Sequence, residues 1–111
     1  MVLKIGDREV PVMWEDNPSV AALGELLPLT IRMSMYGGFE QVGSIGQSID
    51  GNDKQITTSP GDIVLYSGDQ IVIFYGSNSW SYTSLGHIDL SREEITALLG
   101  EGDVTVTIEE G

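Results

Sequence analysis

The chain has no cysteine, one histidine, four prolines and only five basic residues among its 111. Without cysteine there is no disulfide framework and no thiolate metal site or nucleophile, although this leaves the compartment open. With His87 as the sole histidine, a multi-histidine metal site is excluded. No G-x-S-x-G segment offers a serine nucleophile for that histidine to activate. Lys4, Arg8, Arg32, Lys54 and Arg92 are scattered and face 17 acidic residues, for a net charge of -12. Nucleic acid is therefore not an expected partner, because phosphate binding needs clustered Lys and Arg. Anionic membrane surfaces are disfavoured by the same repulsion. No apolar run approaches the ~20 residues of a membrane-spanning helix. Met1 to Asp7 alternates and carries Lys4 and Asp7, unlike a secretory signal. The chain as it stands is expected to be cytoplasmic, as a monomer or weak homodimer.

Hydrophobic residues make up 41% of the sequence, enough for one core in one domain spanning 1–111. Val2, Leu3 and Ile5 predict a short strand, a turn at Gly6-Asp7, then a strand from Glu9 to Glu15. Pro11 cannot donate to a ladder, so an edge or bulge is expected there. Asn17 and Pro18 open a helix, as N-cap and first helical residue; Val20, Leu23 and Leu27 form its core face, and Pro28 stops it. Leu29 to Met35 alternates as a half-buried strand. Tyr36 to Pro60 is Gly-rich and polar, read as short strands and long loops.

Ser59-Pro60-Gly61-Asp62 has the residues of a type II turn. Strands follow at Ile63 to Tyr66 and Gln70 to Tyr75, the second apolar enough to be covered on both faces. Gly76 to Gly86 reads as a loop carrying Trp80 and Tyr82. Ser91 and Glu94 form a capping box for a second helix, ended by Gly100, and Val104, Val106 and Ile108 mark a last strand. Many short strands with two short helices suit a barrel or a sandwich.

Several segments resemble the bacterial cyclophilin-like proteins: Leu26-Leu27-Pro28-Leu29-Thr30, Gly61-Asp62-Ile63-Val64-Leu65-Tyr66, Ile73-Phe74-Tyr75, the run from Ser81 to Asp89, and the ending from Gly100 to Glu109. The resemblance covers nearly the whole chain. It implies a mainly β fold, a closed eight-stranded barrel with two short helices, and no cofactor.

By the same resemblance, a proline-containing peptide or a small molecule would bind in a groove on the barrel's outer face. Arg32 would match the family's arginine, and Gln70 and Trp80 its glutamine and tryptophan. Val72 stands where true isomerases carry an aromatic, and Tyr36-Gly37-Gly38 where the family has Gln-Gly-Gly. His87 lies further along than the family's histidine.

A prolyl isomerase needs no nucleophile, only weakened amide resonance against a barrier of ~20 kcal/mol. Arg32 could donate to the prolyl nitrogen, with Val72, Phe74 and Trp80 lining the pocket. Otherwise Arg32 pairs with a surface acid. Trp80 and Tyr82 could anchor a ligand or fold back over the barrel, and His87 could serve the site or only the structure. The expected function is a non-catalytic ligand-binding module, with a weak peptidyl-prolyl isomerase as the alternative. Asp50-Gly51-Asn52-Asp53 faintly resembles a calcium loop but lacks the downstream bidentate glutamate. No metal is expected.

Overall fold

Pro11 decides how the sheet closes. In the computed structural model, which describes residues 1–111, it separates β2 (Arg8–Val10) from β3 (Val12–Trp14). On one side β2 pairs with β1 (Val2–Ile5), and on the other β3 pairs with the long strand β9 (Ser79–Ile88). The two pieces are thus one stave that changes neighbours at a residue unable to donate a ladder bond. The Pro11 carbonyl still accepts from Asp89 N at 2.9 Å.

The other strands are β4 (Leu29–Tyr36), β5 (Glu40–Ser44), β6 (Lys54–Thr57), β7 (Asp62–Tyr66), β8 (Gln70–Phe74) and β10 (Val104–Glu109). From β2 the order runs β1, β10, β4, β5, β8, β7, β9 and back to β3, with every pairing antiparallel. With β2 and β3 counted as one stave and β6 lying off the ring, this is the eight-stranded barrel expected from the sequence.

The inner face is a continuous aliphatic core. Ile31 and Met33 of β4, Ile71 and Ile73 of β8, and Val106 and Ile108 of β10 are all buried in it. These residues follow the period of two that sends alternate side chains inward. Helix α1 (Pro18–Gly24) adds Leu23, and helix α2 (Arg92–Leu99) adds Ile95 and Leu99. Both helices start where the sequence indicates. Asn17 Oδ1 accepts from Val20 N at 2.9 Å, and Ser91 and Glu94 form the reciprocal capping box. The type II turn is also present: Asp62 N donates to Ser59 O at 3.0 Å, and Gly61 has the positive φ (98°) that its position requires. No helix is long and apolar enough to cross a membrane.

The segment read as a loop from Gly76 to Gly86 is corrected by the structure. Most of it belongs to β9, a strand of ten residues. Its later half pairs with β7 and β3 in the ring. Its first half, Ser79 to Tyr82, leaves the ring and pairs with Lys54 to Thr57 of β6. Serines and threonines suit this two-stranded flap because much of it is exposed, and the same residues made it look like a loop.

Candidate functional site

An exposed barrel face should alternate to polar residues, and on β5, β7 and β8 it does not. Val64, Val72 and Phe74 project outward, yet are buried with Tyr82 in a second apolar cluster separate from the core. Three structures cover them: the β6–β9 flap, the Tyr66 side chain, and the turn joining β4 to β5.

That turn depends on glycine. Gly37 and Gly38 both have positive φ, at 67° and 73°. A Cβ on Gly37 would lie 2.4 Å from the Phe39 ring, which folds back to stack on Phe74 at 6.5 Å between centroids. Tyr82 meets Phe74 edge-on at 5.6 Å and Tyr66 at 6.0 Å.

Between the flap, the turn and the sheet lies a groove of about 400 Å³. Tyr36, Phe39, Tyr66, Trp80 and Tyr82 line it, with Glu40, Val42, Gln70 and Asn78. The chain has two Trp, four Tyr and two Phe, so five of its eight aromatic side chains meet in this one place. Trp80 is 55% exposed at the rim, whereas Tyr82 is 4% exposed and accepts a hydrogen bond at its phenol oxygen from Asn78 Nδ2 at 2.9 Å. Of the two uses open to these aromatics, Trp80 takes the open position and Tyr82 folds back.

Glu40 is the charged group of the groove. It is the register partner of both Tyr36 and Phe74 and is 6% exposed. Burial pushes its carboxyl up to about 7, since no cation or donor of the protein offsets the loss of water. The ion pairs Lys4–Glu109 and Arg8–Glu94 and the Asp62–His87 hydrogen bond all lie elsewhere. The Tyr82 phenol is also held above its ordinary value, first by burial and then by Glu40 and Tyr66, against the opposing bond from Asn78.

The residues singled out in the sequence divide into three groups. Gln70, Trp80 and Tyr82 line the groove, and Val72 and Phe74 form the packed layer beneath it. Arg32 does not line it. It is exposed on β4, two residues (about 7 Å of strand) beyond the Ser34–Val42 pair, and forms no ion pair. His87 is away from the groove and hydrogen-bonded to Asp62 at 2.7 Å. The other oxygen of Asp62 accepts from Ser59 N at 2.8 Å, so this pair ties β9 to the type II turn.

Tyr36, Phe39, Glu40 and Tyr66 were not singled out by sequence. The signal that finds Tyr36, Glu40 and Tyr66 is register, since each shares the outer face with Val72 or Phe74 only once β4, β5, β7 and β8 are paired, whereas Phe39 reaches it by folding back from the β4–β5 turn.

A second, polar pocket of about 320 Å³ lies across Tyr82, near Asn17, Asp50, Asn52 and Thr83. Its groups satisfy one another: Thr83 Oγ1 donates to Asp53 Oδ1 at 2.6 Å and accepts from Asn52 N at 2.9 Å, and Asn17 Nδ2 donates to Ser84 O at 2.9 Å. No three His, Asp or Glu side chains gather to hold a metal.

The model of the cyclophilin-like family matches residues 3–109. Among solved structures, the solution structure of a hypothetical protein from Archaeoglobus fulgidus is similar at a TM-score of 0.70, covering 99% of this chain and 92% of that one. At 16% identity that likeness is one of fold. No curated protein matches the chain.

Proposed function

We propose, for a chain that belongs to the cyclophilin-like family, a binding role: it holds a small ligand in the outer-face groove and does not isomerise prolyl bonds. One observation carries this reading, the gathering of five aromatic side chains and Glu40 around a single groove from which Arg32 is absent. A volume of about 400 Å³ is in the range of small-molecule sites, which are mostly apolar with a few placed polar groups. Isomerisation by the route open to this fold requires a cation donating to the twisting amide nitrogen. None of the five basic residues lines the groove, and the charge at its floor is of the opposite sign.

The test is a thermal-shift screen of small molecules against wild type and Trp80→Ala, run beside an exchange assay on an X-Pro peptide. Hits are expected to raise the melting temperature of wild type and to lose most of that effect in Trp80→Ala. The peptide is expected to exchange at its spontaneous rate with or without protein. Acceleration that Arg32→Ala abolishes would establish the isomerase instead, and stabilisation by proline peptides alone would replace the small ligand with a peptide.

A further inference from the structure

The chemistry of the groove narrows its ligand. Glu40 is almost wholly covered, and no donor or cation of the protein approaches its carboxylate. A buried charge with no partner is costly, and its natural complement is a charge brought from outside. The groups around it favour the same sign. Aromatic faces are electronegative and attract cations. The whole chain carries -12, which raises the local concentration of cations and lowers that of anions. Gln70 is a neutral group free to bond a ligand, while the Asn78 amide is already engaged by Tyr82.

We propose that the groove binds a small organic ammonium ion, its charge against Glu40 and its apolar body among Tyr36, Trp80 and the neighbouring rings. This rests on the binding reading above and assigns its ligand class. An ammonium on a hydrocarbon frame satisfies both halves of the site at once: the carboxylate gains its missing partner, and the rings gain cation–π and apolar contact. A benzoate-like anion would meet Glu40 with like charge, and a neutral alcohol would leave the carboxylate unpaired in charge.

The pH dependence has a simple source. The titratable groups that line the groove with Glu40 are the phenols of Tyr36 on β4, Tyr66 on β7 and Tyr82 on β9; β8 contributes Phe74 and Gln70, and the β4–β5 turn Phe39. The charged neighbour on the flap is Lys54, which lines the other pocket. Glu40, whose carboxyl burial pushes up to about 7, changes charge between pH 6 and 8.

The experiment is an NMR titration of ¹⁵N-labelled wild type and Glu40→Gln at pH 8 with benzyltrimethylammonium, benzyl alcohol and benzoate, the cation being repeated at pH 6. The indole N–H of Trp80 should move, while that of Trp14, which donates to the Met1 carbonyl at 3.1 Å, serves as internal control. The cation is expected to bind wild type at least about tenfold more tightly than the alcohol, a margin in line with a desolvated cation–π and ion-pair contact. Glu40→Gln should erase that margin, and lowering the pH from 8 to 6 should weaken cation binding to wild type about tenfold as the carboxyl protonates. Should Glu40→Gln lose its dispersed spectrum, Trp80→Ala, altered at an exposed position and read on the β8 amides, must weaken the cation instead.

If the alcohol or benzoate binds as well as the cation, or the cation margin survives in Glu40→Gln, the ammonium assignment is overturned while the binding reading stands. If none of the three probes moves Trp80, the ammonium assignment fails, and the small-molecule screen decides the binding reading separately.

Discussion

Glu40 leaves a signature in stability as well as in binding. In the folded chain its carboxyl titrates at about 7, against an ordinary value of 4.5. Between those two values the folded protein keeps a proton that the unfolded chain has released. Stability therefore falls as pH rises through that window and stays at the lower level above it. Gln has nearly the same shape and no charge. Glu40→Gln is expected to exceed wild type by about 1–3 kcal/mol at pH 8, and to differ from it by less than about 0.5 kcal/mol at pH 4. Urea denaturation at the two pH values measures this, and the other carboxylates cancel in the comparison. Equal differences at pH 4 and pH 8 would mean that Glu40 is not desolvated in the folded state. Nothing local in Phe39-Glu40-Gln41 announces such a residue, since a glutamate in a Gly-rich polar stretch reads as surface. Arg32 misleads in the opposite direction: as the one arginine on a clearly alternating strand it looks functional, and it ends in solvent.

At the level of elements, the β4–β5 turn and the β6–β9 flap make the groove out of an otherwise ordinary barrel face. Gly37→Ala tests the turn. A side chain there is disfavoured at φ 67° and would strike the Phe39 ring. The expected cost is about 1–2 kcal/mol from the left-handed backbone alone. The displaced Phe39 should also reduce binding of an aromatic ammonium probe, although residue 37 does not line the groove. A destabilised Gly37→Ala with unchanged affinity would separate the turn from the site.

Elements that depend on local chemistry were legible in advance. The Asn17 and Ser91 caps, the Pro60-Gly61 turn and the alternation of β4 each follow from a few neighbouring residues. The flap was not, because Ser79 to Tyr82 becomes a strand only by pairing with β6, more than twenty residues earlier in the chain. The same holds for Tyr36 and Tyr66, which become site residues only through strand register.

Over the whole molecule, the eight-stave ring was readable because the family resemblance runs through nearly the entire chain, whereas Pro11, which reads as an edge or bulge, proves to be where one stave changes partners. The net charge of -12 was readable too, and what the fold adds is one member of that acidic set held inside an aromatic groove. The central claim is that this groove, and not the surface around Arg32 further along β4, is the binding site. Its most direct test is the melting temperature of wild type, Arg32→Ala and Glu40→Gln at pH 8, each with and without benzyltrimethylammonium. At a concentration 100 times Kd, binding should stabilise wild type by about 2.7 kcal/mol, a rise of several degrees. Arg32→Ala should show the same rise, and Glu40→Gln, binding about tenfold more weakly, only about half of it. A rise that disappears in Arg32→Ala and persists in full in Glu40→Gln would contradict the claim and move the site along β4 to Arg32.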